Sequence, residues 1–308
     1  MNPSDSRTRE AEIRTGETTI FVRIGGSGPP VLLLHGFPET HLMWREVTPV
    51  LEREFTVVCT DLRGYGRSGC PRSDAEHTPY AKRAMARDML DVMAALGFSR
   101  FDVAGHDRGG RVAYRLALDH PERVERVAVL DIVPTAAAWQ RADDRFTIGY
   151  WPWSLLAQPA PLPERMITAA ADAVIDNALG EWGSAATAFP ASVRDAYAQV
   201  LRAPEHAHAI CEEYRAAATL DRAHDEADLA AGRRIRGPLL ALWSAKGPLA
   251  VWYDDAGGPI ELWRPWCDQV RGEAVDAGHF FPEELPEWTA GTLGRFFRES
   301  RPSHVAGG

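Results

Sequence analysis

The segment Phe101-Asp102-Val103-Ala104-Gly105-His106-Asp107-Arg108-Gly109-Gly110 narrows the choice of fold more than any other part of the chain. A short apolar strand pattern runs into a helical one with no loop between them. Such a junction needs a sharp turn, and Gly105 and Gly109 flank it. Glycine lets two backbones pass where a Cβ would collide. The turn lifts residue 107 above the end of a sheet and sets it at a helix N-terminus. The N–H groups that follow can stabilise negative charge there. The pattern Gly-x-Asp-x-Gly therefore reads as a nucleophile elbow with a carboxylate at its tip. The plainer alternative is a strand-turn-helix whose Asp only caps the helix.

The flanking sequence supplies the rest of such a sheet. Residues 18–23 alternate as a strand, and 29–34 and 55–60 are apolar runs that suit buried parallel strands. Residues 80–96 carry helical spacing and stop at Gly97. Residues 101–105 form a strand, 108–118 a helix and 124–131 a further strand. From Thr135 to about Ala230 the rhythm changes to Ala-, Trp- and Pro-rich helices and loops without a clear strand. Strand patterns resume at 238–243 and 273–275, and a helix at about 284–297 closes the chain. Strands alternating with helices imply an α/β fold, a mostly parallel sheet covered on both faces. The helical stretch reads as a cap over the C-terminal strand ends, where such sheets bind ligands. The expected organisation is core over 1–134, helical cap over 135–230 and core again over 231–308.

A carboxylate at the elbow changes the chemistry. It needs no base, and it displaces a leaving group from saturated carbon to give an alkyl ester that water must cleave. Alkyl halides and epoxides fit this chemistry better than esters or amides. Water needs a base, and His279 in Val275-Asp276-Ala277-Gly278-His279-Phe280 follows the last strand. His35 and His106 read instead as loop-orienting residues. Asp131 closes the apolar strand Ala128-Val129-Leu130, where a charge is costly unless paired, so it is favoured as the partner of His279. Asp254 and Asp255, several residues beyond the strand at 239–243, are the alternatives. The backbone N–H groups of Phe37, in His35-Gly36-Phe37-Pro38, and of Arg108 would form the oxyanion hole.

Bulk properties remove several partner classes. The 308 residues carry a formal charge of −9, which argues against nucleic acid and anionic membrane surfaces. That charge also disfavours an anionic substrate unless local arginines attract it. Met1 to Arg14 is polar, with both charge signs, and lacks the apolar stretch of a signal peptide. No apolar run reaches the roughly 18 residues of a membrane span. A cytoplasmic protein is expected, with a loose tail from roughly Arg301. Cys59, Cys70, Cys211 and Cys267 show no metal-like spacing and are expected as reduced, mostly buried thiols.

At the level of whole motifs the sequence resembles the fluoroacetate (haloacetate) dehalogenases, with an α/β-hydrolase fold. The resemblance rests on His35-Gly36-Phe37-Pro38-Glu39-Thr40-His41-Leu42-Met43-Trp44, on Asp61-Leu62-Arg63-Gly64-Tyr65-Gly66-Arg67-Ser68, on Gly105 to Arg111 and on Cys211-Glu212-Glu213-Tyr214-Arg215-Ala216. It spans roughly residues 20 to 300. The first two motifs are partly shared with epoxide hydrolases. Asp107-Arg108-Gly109-Gly110-Arg111 is more specific, because epoxide hydrolases usually carry Trp after the nucleophile. The resemblance implies that Arg108 and Arg111 grip a substrate carboxylate, that no metal or organic cofactor is used, and that the protein is a homodimer. It also implies a halide pocket of a His-Trp pair and a Tyr from the cap. Trp153 and Tyr214 match that pattern, but Pro152 stands where the His belongs. Proline offers no donor, so weak fluoroacetate turnover relative to chloroacetate is expected. The leading expectation is hydrolysis of a small anionic 2-haloacid through an ester on Asp107. The runner-up is an epoxide hydrolase with Tyr150 and Tyr214 as acid donors. A non-catalytic ligand sensor is disfavoured by the full set of Asp107, His279 and Asp131.

Overall fold

The computed structural model describes residues 8–299. Eight strands form one sheet in the order β1-β2-β4-β3-β5-β6-β7-β8. They are β1 (Arg9–Arg14), β2 (Thr19–Gly26), β3 (Pro30–Leu34), β4 (Thr56–Thr60), β5 (Phe101–His106), β6 (Val124–Leu130), β7 (Leu239–Ser244) and β8 (Val270–Val275). β1 and β2 are antiparallel to their neighbours, and every pair from β4 to β8 is parallel.

Side-chain alternation divides the parallel strands between two cores. Leu32 and Leu34 of β3 pack with Val103, Val127 and Val129 against Met85, Met89, Val112 and Leu116 of the helices Lys82–Ala95 and Asp107–Asp119. Val31 and Leu33 face the other way, with Ala104, Ala128 and Leu130. They pack against Leu51, Leu293, Phe296 and Phe297, the last three from the closing helix Pro286–Arg298. Both faces are therefore dry, and the near-continuous apolar runs of β3 to β6 follow from that.

Between β6 and β7 the chain is helical, from Thr135–Gln140 to Arg222–Ala230. The helix Pro204–Ala216 passes through a π turn at Ala217–Asp221 into Arg222–Ala230. That turn aims the Asp221 carboxylate at the backbone N–H of Lys82, 2.8 Å away. The cap thus satisfies an open N-terminal donor of a core helix.

One strand has no signature in the sequence. β1, Arg-Glu-Ala-Glu-Ile-Arg, lies at the sheet edge with almost every residue exposed. A strand with water on both faces needs no apolar alternation, and its polarity protects the edge. The expected tail from Arg301 lies outside the described residues. Cys59, Cys211 and Cys267 are buried, Cys70 is half-buried, and all four are free thiols. Among the described residues no helix is long and apolar enough to cross a membrane, and no group of three or more His, Cys, Asp or Glu side chains could hold a metal ion.

Candidate active site

Asp107 opens the helix Asp107–Asp119 directly after β5, with φ at +43°. Left-handed backbone is uncommon outside glycine, though Asp tolerates it better than most residues. The turn closes because Gly109 lies against the end of β3, where an added Cβ would stand 2.3 Å from the carbonyl oxygen of His35. Gly36 gives the same clearance from the other side, since a Cβ there would be 2.6 Å from that of Asp107. The loop after β3 can thus approach until Phe37 N–H donates to Asp107 Oδ2 at 3.0 Å. Arg108 adds a free N–H at the helix start, as any first-turn residue does. Burial alone would raise the Asp107 carboxyl, but His279, Arg108, His106 and Arg111 hold it below the ordinary carboxylate range. It is a buried anion at neutral pH.

His279 follows β8 and points its Nδ1 at Asp131 Oδ2, 2.5 Å away. Asp131 follows β6 in a left-handed conformation, φ +54°, and its other oxygen accepts from Ser244 N–H at 2.8 Å. The structure therefore pairs His279 with Asp131. Asp254 and Asp255 are both exposed, and Asp255 faces Arg141 at 3.0 Å. With Nδ1 committed to a carboxylate, Nε2 is the nitrogen of His279 left to accept a proton.

The cap locks this loop. His279 N–H donates to the Trp182 carbonyl at 2.9 Å, and Phe280 N–H donates to Ser184 Oγ at 3.1 Å. Behind His279 lies His106, its ring 4.5 Å away between centroids. His106 Nε2 stands 2.9 Å from the His279 carbonyl, which can only accept, so Nε2 carries the hydrogen. Burial keeps His106 neutral, and its Nδ1 must then accept. The neighbour at 3.1 Å is Glu39 Oε2. Glu39 must therefore supply a proton, which agrees with burial pushing its carboxyl up to about 8. Glu283 lies against Glu39, paired with Arg45, and burial and Glu39 push it up too. His35 behaves as a loop tie: Nδ1–H donates to the Gly36 carbonyl at 2.9 Å and Nε2 accepts Leu62 N–H at 3.0 Å.

Two arginines close the other side. Arg108 Nε donates to Glu213 Oε1 at 2.9 Å and Nη2 to the Glu213 carbonyl at 3.2 Å. Its Nη1 is buried with no partner among the described residues. Arg111 Nη1 donates to the Val133 carbonyl at 3.0 Å and Thr135 Oγ1 at 3.1 Å, and its buried Nε has no partner there either. The ring of Tyr214 lies 4.0 Å from the Arg108 guanidinium, and that of Trp153 lies 4.4 Å from Arg111. Tyr214 also meets Phe37 edge-on at 5.7 Å. Asp107, Arg108, Arg111, Asp131, Trp153, Tyr214, His279 and Phe37 are thus brought to one buried place.

Sequence reasoning gave no role to several supports of this site. Glu213 bridges Arg108, Lys82 at 2.7 Å and the Tyr65 hydroxyl at 2.7 Å. Burial opposes its charge, but Arg108 and Lys82 hold the carboxyl at about 2. The Cys211-to-Ala216 motif contains Glu213, but only the fold shows what the carboxylate touches. Trp182 and Ser184 lie in a cap stretch with no motif at all.

The family profile described as alpha/beta hydrolase fold matches residues 29–286. A fluoroacetate dehalogenase from Burkholderia sp is 40% identical over 290 residues, covering 94% of this chain and 93% of that protein. A soluble epoxide hydrolase from Corynebacterium sp. (strain C12) is 30% identical, covering 90% of this chain and 92% of that protein. The crystal structure of ALR0039 from Nostoc sp PCC 7120 superposes with a TM-score of 0.91 at 42% identity, over 96% of this chain and 99% of that one. With its eight-stranded sheet, its elbow at Asp107 and this breadth of similarity, the chain is a hydrolase that belongs to the fluoroacetate dehalogenase family of the alpha/beta hydrolases.

Proposed function

We propose that the protein hydrolyses a small 2-haloacid to the hydroxy acid and halide, with Asp107 as nucleophile. One observation carries this reading. Arg108 Nη1 and Arg111 Nε are buried donors without partners among the described residues, both in the first turn or so of the helix that Asp107 begins. Unmatched buried guanidinium donors are costly unless an anion meets them. A substrate carboxylate held by both would set C2 before Asp107 and offset the repulsion between two anions.

In the first step an Asp107 oxygen attacks C2 and the C–halogen electron pair leaves with the halide. Trp153 and Tyr214 line the space for the departing ion. In the second step His279 Nε2 takes a proton from water, and Asp131 stabilises the imidazolium. The hydroxide adds to the Asp107 carboxyl carbon, with Phe37 N–H and Arg108 N–H on the oxyanion. Collapse expels the alkoxide, which takes the proton from His279 to leave as the hydroxy acid, and Asp107 returns to its carboxylate by losing a proton to solvent. These residues need no metal or organic cofactor for either step. The proposal extends to a cytoplasmic homodimer with no nucleic-acid or membrane partner, and light scattering of the purified protein checks its mass.

Epoxide opening by Asp107 is the competing chemistry, and the similarity to a soluble epoxide hydrolase and the buried Tyr150 hydroxyl favour it. It leaves the arginine pair without a role. Ion chromatography on fluoro-, chloro- and bromoacetate and 2-chloropropionate, with styrene oxide in parallel, separates the two. Halide release without diol formation is expected, and diol formation without halide release would reverse the assignment. A single turnover in ¹⁸O water should place label in the peptide carrying Asp107, whereas label confined to the product would mean direct attack by water.

A further inference from the structure

Within the stretch Tyr150-Trp151-Pro152-Trp153, the side chains have different fates. Trp151 turns outward and donates its indole N–H to Asn177 Oδ1 at 2.7 Å. Pro152 is buried near the start of the helix Trp151–Leu155 and has no donor. Tyr150 turns inward. Its ring lies 6.1 Å from that of His279, 4.9 Å from Trp252, 5.8 Å from Trp182 and 6.0 Å from Phe146. Its hydroxyl is buried with no hydrogen-bond partner among the described residues.

A buried phenol hydroxyl normally finds a partner. Here the surrounding rings, apart from that of His279, offer no acceptor, and the hydroxyl lies within electrostatic reach of Asp131, Asp107, Tyr253 and Arg111. The Tyr150 carbonyl accepts Trp153 N–H at 3.0 Å, so the two residues sit on one turn, the Trp153 ring against Arg111 and the Tyr150 ring beside His279. We propose that the Tyr150 hydroxyl is a third donor to the departing halide, in the role that Pro152 cannot fill, and that it governs how well fluoride leaves. This rests on the dehalogenase reading.

The step balances without a proton transfer. Asp107 forms the C–O bond, the C–halogen pair departs as halide ion, and Tyr150 keeps its proton while donating a hydrogen bond. Burial holds the phenol well above its ordinary range, which suits a donor rather than an acid. Fluoride is the smallest halide and the strongest hydrogen-bond acceptor, so it gains most from such a contact.

The test compares the unmutated protein with Tyr150→Phe by rapid-quench single turnovers on fluoroacetate and bromoacetate. Circular dichroism verifies the fold. Fluoride release should fall by roughly 10²-fold, as for loss of one preorganised donor, and bromide release by much less. Decay of the Asp107 ester, followed by mass spectrometry, should be unchanged. Trp151→Phe should match the unmutated protein. Unchanged fluoride release, an equal loss for both halides, or slowed ester decay after a normal burst would each overturn the role. Absence of halide release from both haloacids in the unmutated protein would instead remove the dehalogenase reading, and the proposal with it.

Discussion

Asp107 and Asp131 both have positive φ, and they are two of only three non-glycine residues with it among those described. Left-handed backbone persists where the surroundings fix it, and it is often retained at reactive positions. The elbow holds Asp107 against Phe37 N–H, and β7 supplies Ser244 N–H to Asp131. Each carboxylate is thereby aimed without freedom to swing. The division of labour between them sets the first prediction. In the proposed mechanism His279 serves the water step and not the nucleophile, which is already ionised. His279→Asn should release one equivalent of halide and then stall, with an adduct on Asp107 visible by mass spectrometry. A variant giving neither burst nor adduct would place His279 in the first step. The local pattern pointed to Asp107 and His279, because an elbow and a strand-end histidine are each short-range features. It could only favour Asp131, because the choice depended on which strand end faces His279.

At the scale of elements, the loop after β3, the end of β5 and the loop after β8 form one hydrogen-bonded layer behind the site. Glu39, His106 and the His279 carbonyl are its links. Glu39 is neutral in the folded protein up to about pH 8, but an unfolded glutamate ionises near 4.5. A carboxyl raised on folding contributes stability that is full below the unfolded value and lost as pH rises through the folded one. Between about pH 4.5 and 8 this layer should therefore lose stability, by about 5 kcal/mol at most. Glu39→Gln keeps a donor toward His106 and cannot titrate. Urea unfolding at pH 5, 6.5 and 8 should show a flatter profile for the variant. Parallel profiles would show that Glu39 is ionised throughout. None of this was legible in His-Gly-Phe-Pro-Glu, where Glu39 looks like an ordinary loop carboxylate. Its neutrality follows from burial and from the His106 tautomer that the His279 carbonyl fixes, through contacts made across 67 and 173 residues of chain.

Across the whole molecule, cap and core are joined by ion pairs of very different depth. Glu213 on the cap meets Arg108 and Lys82 of the core with all three side chains almost fully buried. Arg141 on the cap meets Asp255 of the core with 38% and 73% of their side chains exposed. Removing one partner of a buried pair strands the other charge and typically costs about 3–5 kcal/mol. An exposed pair is worth about 0–1 kcal/mol. Glu213→Gln should therefore lower thermal stability strongly and raise KM for an anionic substrate, because Arg108 loses its orientation. Asp255→Asn should change neither. Calorimetry and steady-state kinetics on the two variants check this, and equal effects would contradict it.

The sequence by itself determined the α/β layering, the helical insertion and the carboxylate at the elbow. Those depend on short-range rules: apolar runs for strands dry on both faces, helical spacing, and glycines where backbones nearly touch. The resemblance to the dehalogenases also marked Arg108, next to Asp107, and Arg111, one turn further on. The sequence was silent on β1, since an edge strand in water leaves no apolar period. Only the tertiary structure decided which acid meets His279, which proton state Glu39 holds, that Glu213 aims Arg108, and that Tyr150 rather than Trp151 turns inward. Each of these is a contact between distant segments, where a charge or hydroxyl taken out of water is costly unless a partner from elsewhere in the chain meets it.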